Sequence, residues 1–176
     1  MARNMAPGLR RSFSFEEWNW VDDRLIQEVR TEASKKINRD LVLDIMGTDI
    51  DARMVEIAKE NAQKAGVASD ITFKQMRVQD LRSDKINGVI ISNPPYGERL
   101  SDDAGVTKLY AEMGEVFEPL KTWSKFILTS DENFEKKFGR QADKKRKLYN
   151  GTLKVDLYQF FGERVRRQAT SEKGNI

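Results

Sequence analysis

Residues 86 to 98 read Ile-Asn-Gly-Val-Ile-Ile-Ser-Asn-Pro-Pro-Tyr-Gly-Glu. The segment from Ile86 to Ser92 is short, β-branched and bounded by turn residues, the composition of a strand buried on both faces of a parallel sheet. Pro94 and Pro95 lack an N–H and fix φ, so they eject the chain from the sheet and stiffen its exit. Asn93 and Tyr96 then stand on a rigid turn at the carboxyl end of a strand, where open α/β sheets bind their ligands.

The flanking sequence repeats this grammar. Leu41 to Asp49 (LVLDIMGTD) reads as a strand, and Ala52 to Ala65 as a helix with Asp51 as N-cap and Gly66 as its stop. Val55, Ala58, Ala62 and Ala65 recur at helical spacing and give that helix one narrow packing face. Ile71 to Met76 reads as the next strand and Thr107 to Glu118 as a helix with Leu109, Met113, Val116 and Phe117 inward. Ser124 to Ser130 (SKFILTS) reads as another buried strand. Strands alternating with helices predict an α/β fold with a doubly wound, mostly parallel sheet. The pattern changes at Lys145 to Phe161, where Asn150-Gly151 separates two alternating stretches and predicts a carboxyl-terminal antiparallel hairpin. There Leu153, Val155 and Leu157 share one face, and Lys154, Asp156 and Tyr158 the other.

Composition narrows the chemistry. The 176 residues, 39% hydrophobic and 34% charged, include neither His nor Cys. Imidazole bases, thiolate nucleophiles, thiolate zinc sites and disulfides are therefore excluded, and no metal site is expected. No stretch is apolar enough to span a bilayer and no signal-peptide pattern is present, so a cytoplasmic protein is expected.

What remains is chemistry by positioning. An exocyclic amine of a nucleobase has its lone pair delocalised into the ring, so it attacks poorly until acceptors hold its hydrogens. The Asn93 side-chain carbonyl and the Pro94 main-chain carbonyl supply two acceptors, since proline keeps its carbonyl while losing its donor. Tyr96 is placed to stack on a flipped base. Asn-Pro-Pro-Tyr (NPPY) after an apolar strand resembles motif IV of the amino-methyltransferases that use S-adenosylmethionine to methylate exocyclic nitrogens of bases. Asn93, Pro94, Pro95 and Tyr96 are the candidate catalytic residues.

Acids at strand ends are candidates for the cofactor. Asp49 closes the LVLDIMGTD strand, where a carboxylate can accept from both hydroxyls of a ribose, or act as a second cap. Asp51 is better explained as the helix cap. Asp80, in Gln79-Asp80-Leu81, suits an acceptor for an adenine amino group or a loop aspartate. Asp49, Ile50, Asp80 and Asn93 form the candidate cofactor-binding set. The net charge is only +3, but Lys136, Lys137, Arg140, Lys144, Lys145, Arg146 and Lys147 crowd one stretch, and Arg164, Arg166 and Arg167 follow. Such a run is either a solvated face or a phosphate contact. Beside a base-modifying site Lys144, Lys145 and Arg146 are expected to hold nucleic acid, and Arg99 to reach a phosphate or to pair with Glu98. Phe13, Phe15, Trp18 and Trp20 read as packing and helix-entry residues, with a base-stacking platform as the alternative.

MARNMAPGLRRSFSFEEW, IMGTDIDARMVEIAKENAQKAG and IISNPPYGERL together resemble the large-subunit ribosomal RNA guanine-N2 methyltransferase family, often labelled N6-adenine-specific DNA methylases. The similarity runs from Met1 to about Gln168. It implies a Rossmann-like fold, S-adenosyl-L-methionine as cofactor, guanine N2 of 23S rRNA as target, adenine N6 in DNA as the alternative, and an RNA-binding THUMP domain upstream. It also implies a catalytic domain over residues 1–168, while residues 169–176 (ATSEKGNI) carry no pattern and are expected to be a disordered tail. One departure stands out: the family's glycine-rich loop after its first strand has no counterpart, since no Gly-x-Gly occurs among the eleven glycines. The chain is accordingly expected to be a carboxyl-terminal fragment lacking the first strand, which the family's strand order 3-2-1-4-5-7-6 places centrally. Its two neighbouring strands are then expected either to close on each other or to be bridged, and an inactive fragment that retains nucleic-acid binding is the remaining alternative.

Overall fold

The computed structural model describes residues 2–95 and 103–163. The chain divides into two compact units, Met1–Arg77 and Val78–Ile176.

In the first unit, helix α1 (Asp23–Lys35) precedes strand β1 (Ile45–Asp49), helix α2 (Ala52–Ala65) and strand β2 (Ile71–Gln75). Helix α2 has the expected boundaries, because both ends are written in local chemistry. The Asp51 side chain accepts from the Arg53 amide at its start, and Gly66, at φ 73°, closes it with an N–H to Ala62 and Gln63 carbonyls. Val55 and Ala62 are its buried residues. β1 and β2 pair in parallel from Ile45↔Ile71 to Asp49↔Gln75. β1 begins later than Leu41, because the chain before Ile71 is a 3-10 turn, Ala68–Asp70, and offers Leu41–Asp44 no ladder. Arg3 clamps that turn through two 2.6 Å hydrogen bonds to Asp70. Residues 2–3 and 7–10 form turns.

In the second unit, strands β3 (Val89–Ser92), β4 (Ser124–Thr129), β5 (Lys144–Asn150) and β6 (Leu153–Phe160) form a sheet of order β3-β4-β6-β5, with helices α3 (Asp103–Phe117) and α4 (Phe134–Phe138). β3 and β4 are parallel, and β6 is antiparallel to both β4 and β5. The expected hairpin is present. Asn150 pairs with Leu153, so Gly151 and Thr152 are the loop residues, and Gly151 takes φ 62°. β3 is shorter than the Ile86–Ser92 run, since Asn87 turns the chain at φ 58°. Inward residues of α3 and the strands meet in one core: Val106, Tyr110, Met113, Phe117, Ile127, Phe134, Phe138, Tyr158 and Phe160. Leu109 and Val116, expected inward, pack half-buried against it. Phe134, fully buried, lies 4.7 Å from Tyr158 and 4.9 Å from Tyr110 between ring centres. Gly114 lets α3 approach the Phe138 carbonyl, where a side chain would clash. Helices α1 and α4 are additions to the expected set.

The result is an α/β, Rossmann-like fold with a mixed sheet. β1–β2 and β3–β6 are separate sheets, one in each unit.

Candidate active site

The parallel register aligns the ends of β3 and β4. Ser92 pairs with Ile127, so residues 93–95 leave the sheet beside Leu128 and Thr129. Asn93 is exposed there, Pro94 is buried and Pro95 is exposed. The proline pair thus anchors one ring in the unit while presenting the preceding amide to solvent, the role its chemistry predicts.

A buried hydroxyl network holds this end of the sheet. Tyr110, fully buried on α3, shares a 2.8 Å hydrogen bond with the Thr129 hydroxyl and reaches the Pro95 carbonyl at 3.5 Å. Burial pushes the Tyr110 phenol above its ordinary pKa, opposed by the Thr129 hydrogen bond, so it stays a neutral donor. The Thr129 hydroxyl also accepts from the Asp131 amide at 3.1 Å. Tyr158 donates to the Asp131 carbonyl at 3.2 Å, and Lys137 pairs with the Asp131 carboxylate at 2.8 Å. Tyr110, Thr129 and Asp131 are absent from the sequence-based candidate set. Thr129 lies on the buried face of SKFILTS with Lys125 and Ile127, which the strand alternation alone makes visible.

Asp80 sits in the same unit, on a 3-10 turn (Val78–Asp80) whose Val78, with the following Leu81, packs against the core. Asp80 itself is exposed. Asp49 and Ile50 belong to the first unit. Asp49, exposed at the end of β1, accepts from the Asp51 amide through Oδ1 at 2.8 Å. Ile50 is 61% exposed, and its carbonyl accepts from Gln75 at 3.0 Å. Tyr96, Arg99, Arg164, Arg166, Arg167 and the 169–176 tail lie outside the described residues.

Of the basic run, Lys144, Lys145, Arg146 and Lys147 lie on β5, which is exposed throughout, while Lys136 and Lys137 lie on α4. Lys145 opposes Tyr158 across the ladder, lies 4.7 Å over its ring and is 3.4 Å from Asp156. A hydrogen bond to Tyr158, with Asp156 adding to it, holds the Lys145 ammonium above its ordinary pKa. Strand alternation puts Lys144 and Arg146 on the other face. One of the three candidates therefore also braces the hairpin.

The amino-terminal aromatics depart from the packing expectation. Phe15, Trp18 and Trp20 are 45%, 51% and 78% exposed, and neighbouring rings from Phe13 to Trp20 lie 5.7, 6.4 and 5.2 Å apart.

Residues 1–159 match the model of UPF0020, the RMKL-like methyltransferase domain. The chain belongs to this family. It is 50% identical over 171 residues to YpsC of Bacillus subtilis (strain 168), named for an inferred RNA methyltransferase activity, and covers 97% of itself but 44% of that relative. It is 37% identical over 187 residues to the ribosomal RNA large subunit methyltransferase K/L of Shewanella amazonensis, of which it covers 26%. Among solved structures it resembles SMU.472, a methyltransferase by assignment complexed with SAH. That match has TM-score 0.88 and 63% identity, over 93% of this chain and 44% of that one. A Listeria monocytogenes protein named as a predicted N6-adenine-specific DNA methylase matches with TM-score 0.84 and 47% identity, over 92% of this chain and 41% of that one. The chain thus spans less than half the length of these relatives.

Proposed function

We propose that this chain carries the target-base half of an S-adenosyl-L-methionine-dependent methyltransferase that modifies the N2 amino group of a guanine in 23S rRNA, a step of rRNA processing in the cytoplasm. The observation that carries the reading is Asn93, exposed one residue beyond β3 with Pro94 buried behind it. An amide carbonyl and a proline carbonyl in succession offer two acceptors to one amino group and no competing donor from the proline. Tyr110, held by Thr129, reaches the following carbonyl, that of Pro95, at 3.5 Å, and positioning of the turn is a recognised source of rate acceleration.

Each unit, taken by itself, offers acceptors suited to part of the cofactor. Asp49 spends one oxygen on the Asp51 amide and keeps acceptor capacity for ribose hydroxyls, with Ile50 exposed beside it; Asp80 is an exposed acceptor for an adenine amine. When bound, S-adenosylmethionine supplies a methyl group already activated on a sulfonium. Lys144, Lys145 and Arg146 contribute phosphate contacts. The YpsC and methyltransferase K/L names favour RNA; the Listeria relative's name favours adenine N6 in DNA as the second reading.

The test uses a chimera in which this chain replaces the matched segment of YpsC. Incubated with methyl-labelled cofactor and unmethylated 23S rRNA or duplex DNA, it is expected to yield N2-methylguanosine in the digested RNA. Label recovered as N6-methyladenine in DNA, with none on guanine, would move the assignment to the second reading.

A further inference from the structure

The hydroxyl network beneath the Asn-Pro-Pro turn has a direction. Its two ends are fixed in kind, since the Asp131 main-chain amide only donates and the Pro95 main-chain carbonyl only accepts. Two hydroxyls stand between them, each with one proton to give. The Thr129 oxygen takes the Asp131 N–H at 3.1 Å and shares a 2.8 Å hydrogen bond with Tyr110, which lies 3.5 Å from the Pro95 carbonyl oxygen. Were Tyr110 the donor to Thr129, the Thr129 proton would find no second acceptor among the described residues, and the Pro95 carbonyl would lose the Tyr110 proton. With Thr129 as donor every proton has an acceptor: Asp131 N–H on Thr129, Thr129 O–H on Tyr110, Tyr110 O–H on Pro95. The Asp131 end of the chain is held on three sides. Its carboxylate accepts from the Asn133 amide and from Lys137, each at 2.8 Å, and its carbonyl accepts from Tyr158 at 3.2 Å. The Pro95 link is the longest of the three, so the turn is the adjustable end.

We propose that Thr129 is a positioning residue for the methyl transfer and Asp131 the anchor behind it. By giving its own proton to Tyr110, Thr129 leaves the Tyr110 proton only the Pro95 carbonyl, and the chain of donors ends on the backbone of the turn that carries Asn93. Hydrogen bonds in series polarise and strengthen one another in a buried setting. Thr129 is itself fully buried and acts through Tyr110. The kinetic consequence rests on the reaction proposed above; the order of the protons does not.

Two measurements test this. In the full 176-residue chain, the carbonyl 13C resonance of Pro95, read by NMR through the amide that follows it, is expected to move upfield in Tyr110→Phe, as a carbonyl does on losing a hydrogen bond. An unmoved resonance would mean that Tyr110 donates to Thr129, and would overturn the proposal. In the YpsC chimera, Thr129→Val is expected to lower kcat by about tenfold, within the roughly hundredfold that a misplacement of about 1 Å costs, with KM for RNA unchanged. Thr129→Ser, which keeps the hydroxyl, is expected to restore it. Thr129→Val combined with Tyr110→Phe should be no slower than Tyr110→Phe alone, because residues that act through one another are not additive. Losses that multiply in the double variant, a Thr129→Ser variant as slow as Thr129→Val, or full activity in Thr129→Val would each overturn the proposal. Should Thr129→Val fail to fold, Tyr110→Phe decides alone: the resonance has to move and kcat has to fall. A chimera that transfers no methyl group while the Pro95 resonance moves would leave the order of the protons standing and count against the proposed reaction.

Discussion

At the scale of single residues, the candidate site is a short amide-bearing turn braced from beneath. In the proposed reaction Asn93 carries the chemistry, and Tyr110 and Thr129, both fully buried, lie beneath the turn, with Tyr110 reaching the Pro95 carbonyl. Tyr110→Phe removes the hydroxyl and leaves Thr129 short of a partner. It is expected to cost about 1 kcal/mol in urea unfolding and, in the YpsC chimera, to lower kcat while leaving KM for RNA near its original value. A KM effect alone would make Tyr110 a folding residue without a positioning role. In the other unit, hydrogen bonds from Arg3 hold the Asp70 carboxyl below its ordinary range. A depressed folded pKa means that the stabilisation is fully present above the unfolded value and is lost as pH falls through the folded one. The urea midpoint difference between the native chain and Asp70→Asn should therefore be constant near neutrality and shrink below about pH 4. Asn93 itself was legible in the sequence because Pro-Pro after a β-branched run has few readings. The Tyr110–Thr129 pair was not, since it joins residues 19 apart that only the packing of α3 on β4 brings together.

Elements with local end signals kept their bounds, and the strands Ile71–Gln75 and Ser124–Thr129 fall within the runs read for them, whereas β1 and β3 did not fill theirs. Helix α2 kept both predicted ends because Asp51 and Gly66 act within their own turn. β1 and β3 came out shorter than their apolar runs, because a strand extends only as far as its neighbour supports a ladder. The five-residue α4 is too short to show a period, and it forms because Phe134 and Phe138 bury themselves in the core. The β5–β6 hairpin was visible in Asn150-Gly151, although the glycine opens the two-residue loop. Nothing lies within 4 Å of a side chain built on Gly151, so Gly151→Ala meets only the cost of a left-handed backbone. That cost is about 1–2 kcal/mol, to be read as a lowered urea midpoint. Along the same hairpin, neutralising Lys144, Lys145 and Arg146 is expected to weaken RNA binding and to reduce its salt dependence by roughly one unit of slope per lost phosphate contact. An unchanged slope would make the run a solvated face. Because Lys145 also pairs with Asp156, that substitution alone should lower hairpin stability as well.

For the whole molecule, the family and the α/β class follow from motifs in sequence order, whereas the division into units and sheets follows from which strands find partners. The sequence placed the acids and the Asn-Pro-Pro turn at strand ends; it had no means of showing that β1 and β3 belong to separate sheets, since pairing is a property of the assembled edges. The same separation of roles shapes the function proposed: Asn93 acts on the reacting nitrogen, and the basic strand holds phosphates away from it. Single-turnover methylation at saturating RNA measures this directly in the YpsC chimera. Asn93→Ala should slow the step by about a hundredfold or more, the scale for losing a positioned transition-state hydrogen-bond partner, with RNA affinity little changed, while the triple basic variant turns over at close to the original rate. Full activity without Asn93, or an equal loss in both variants, would contradict the account and reduce the Asn-Pro-Pro turn to a strand terminator.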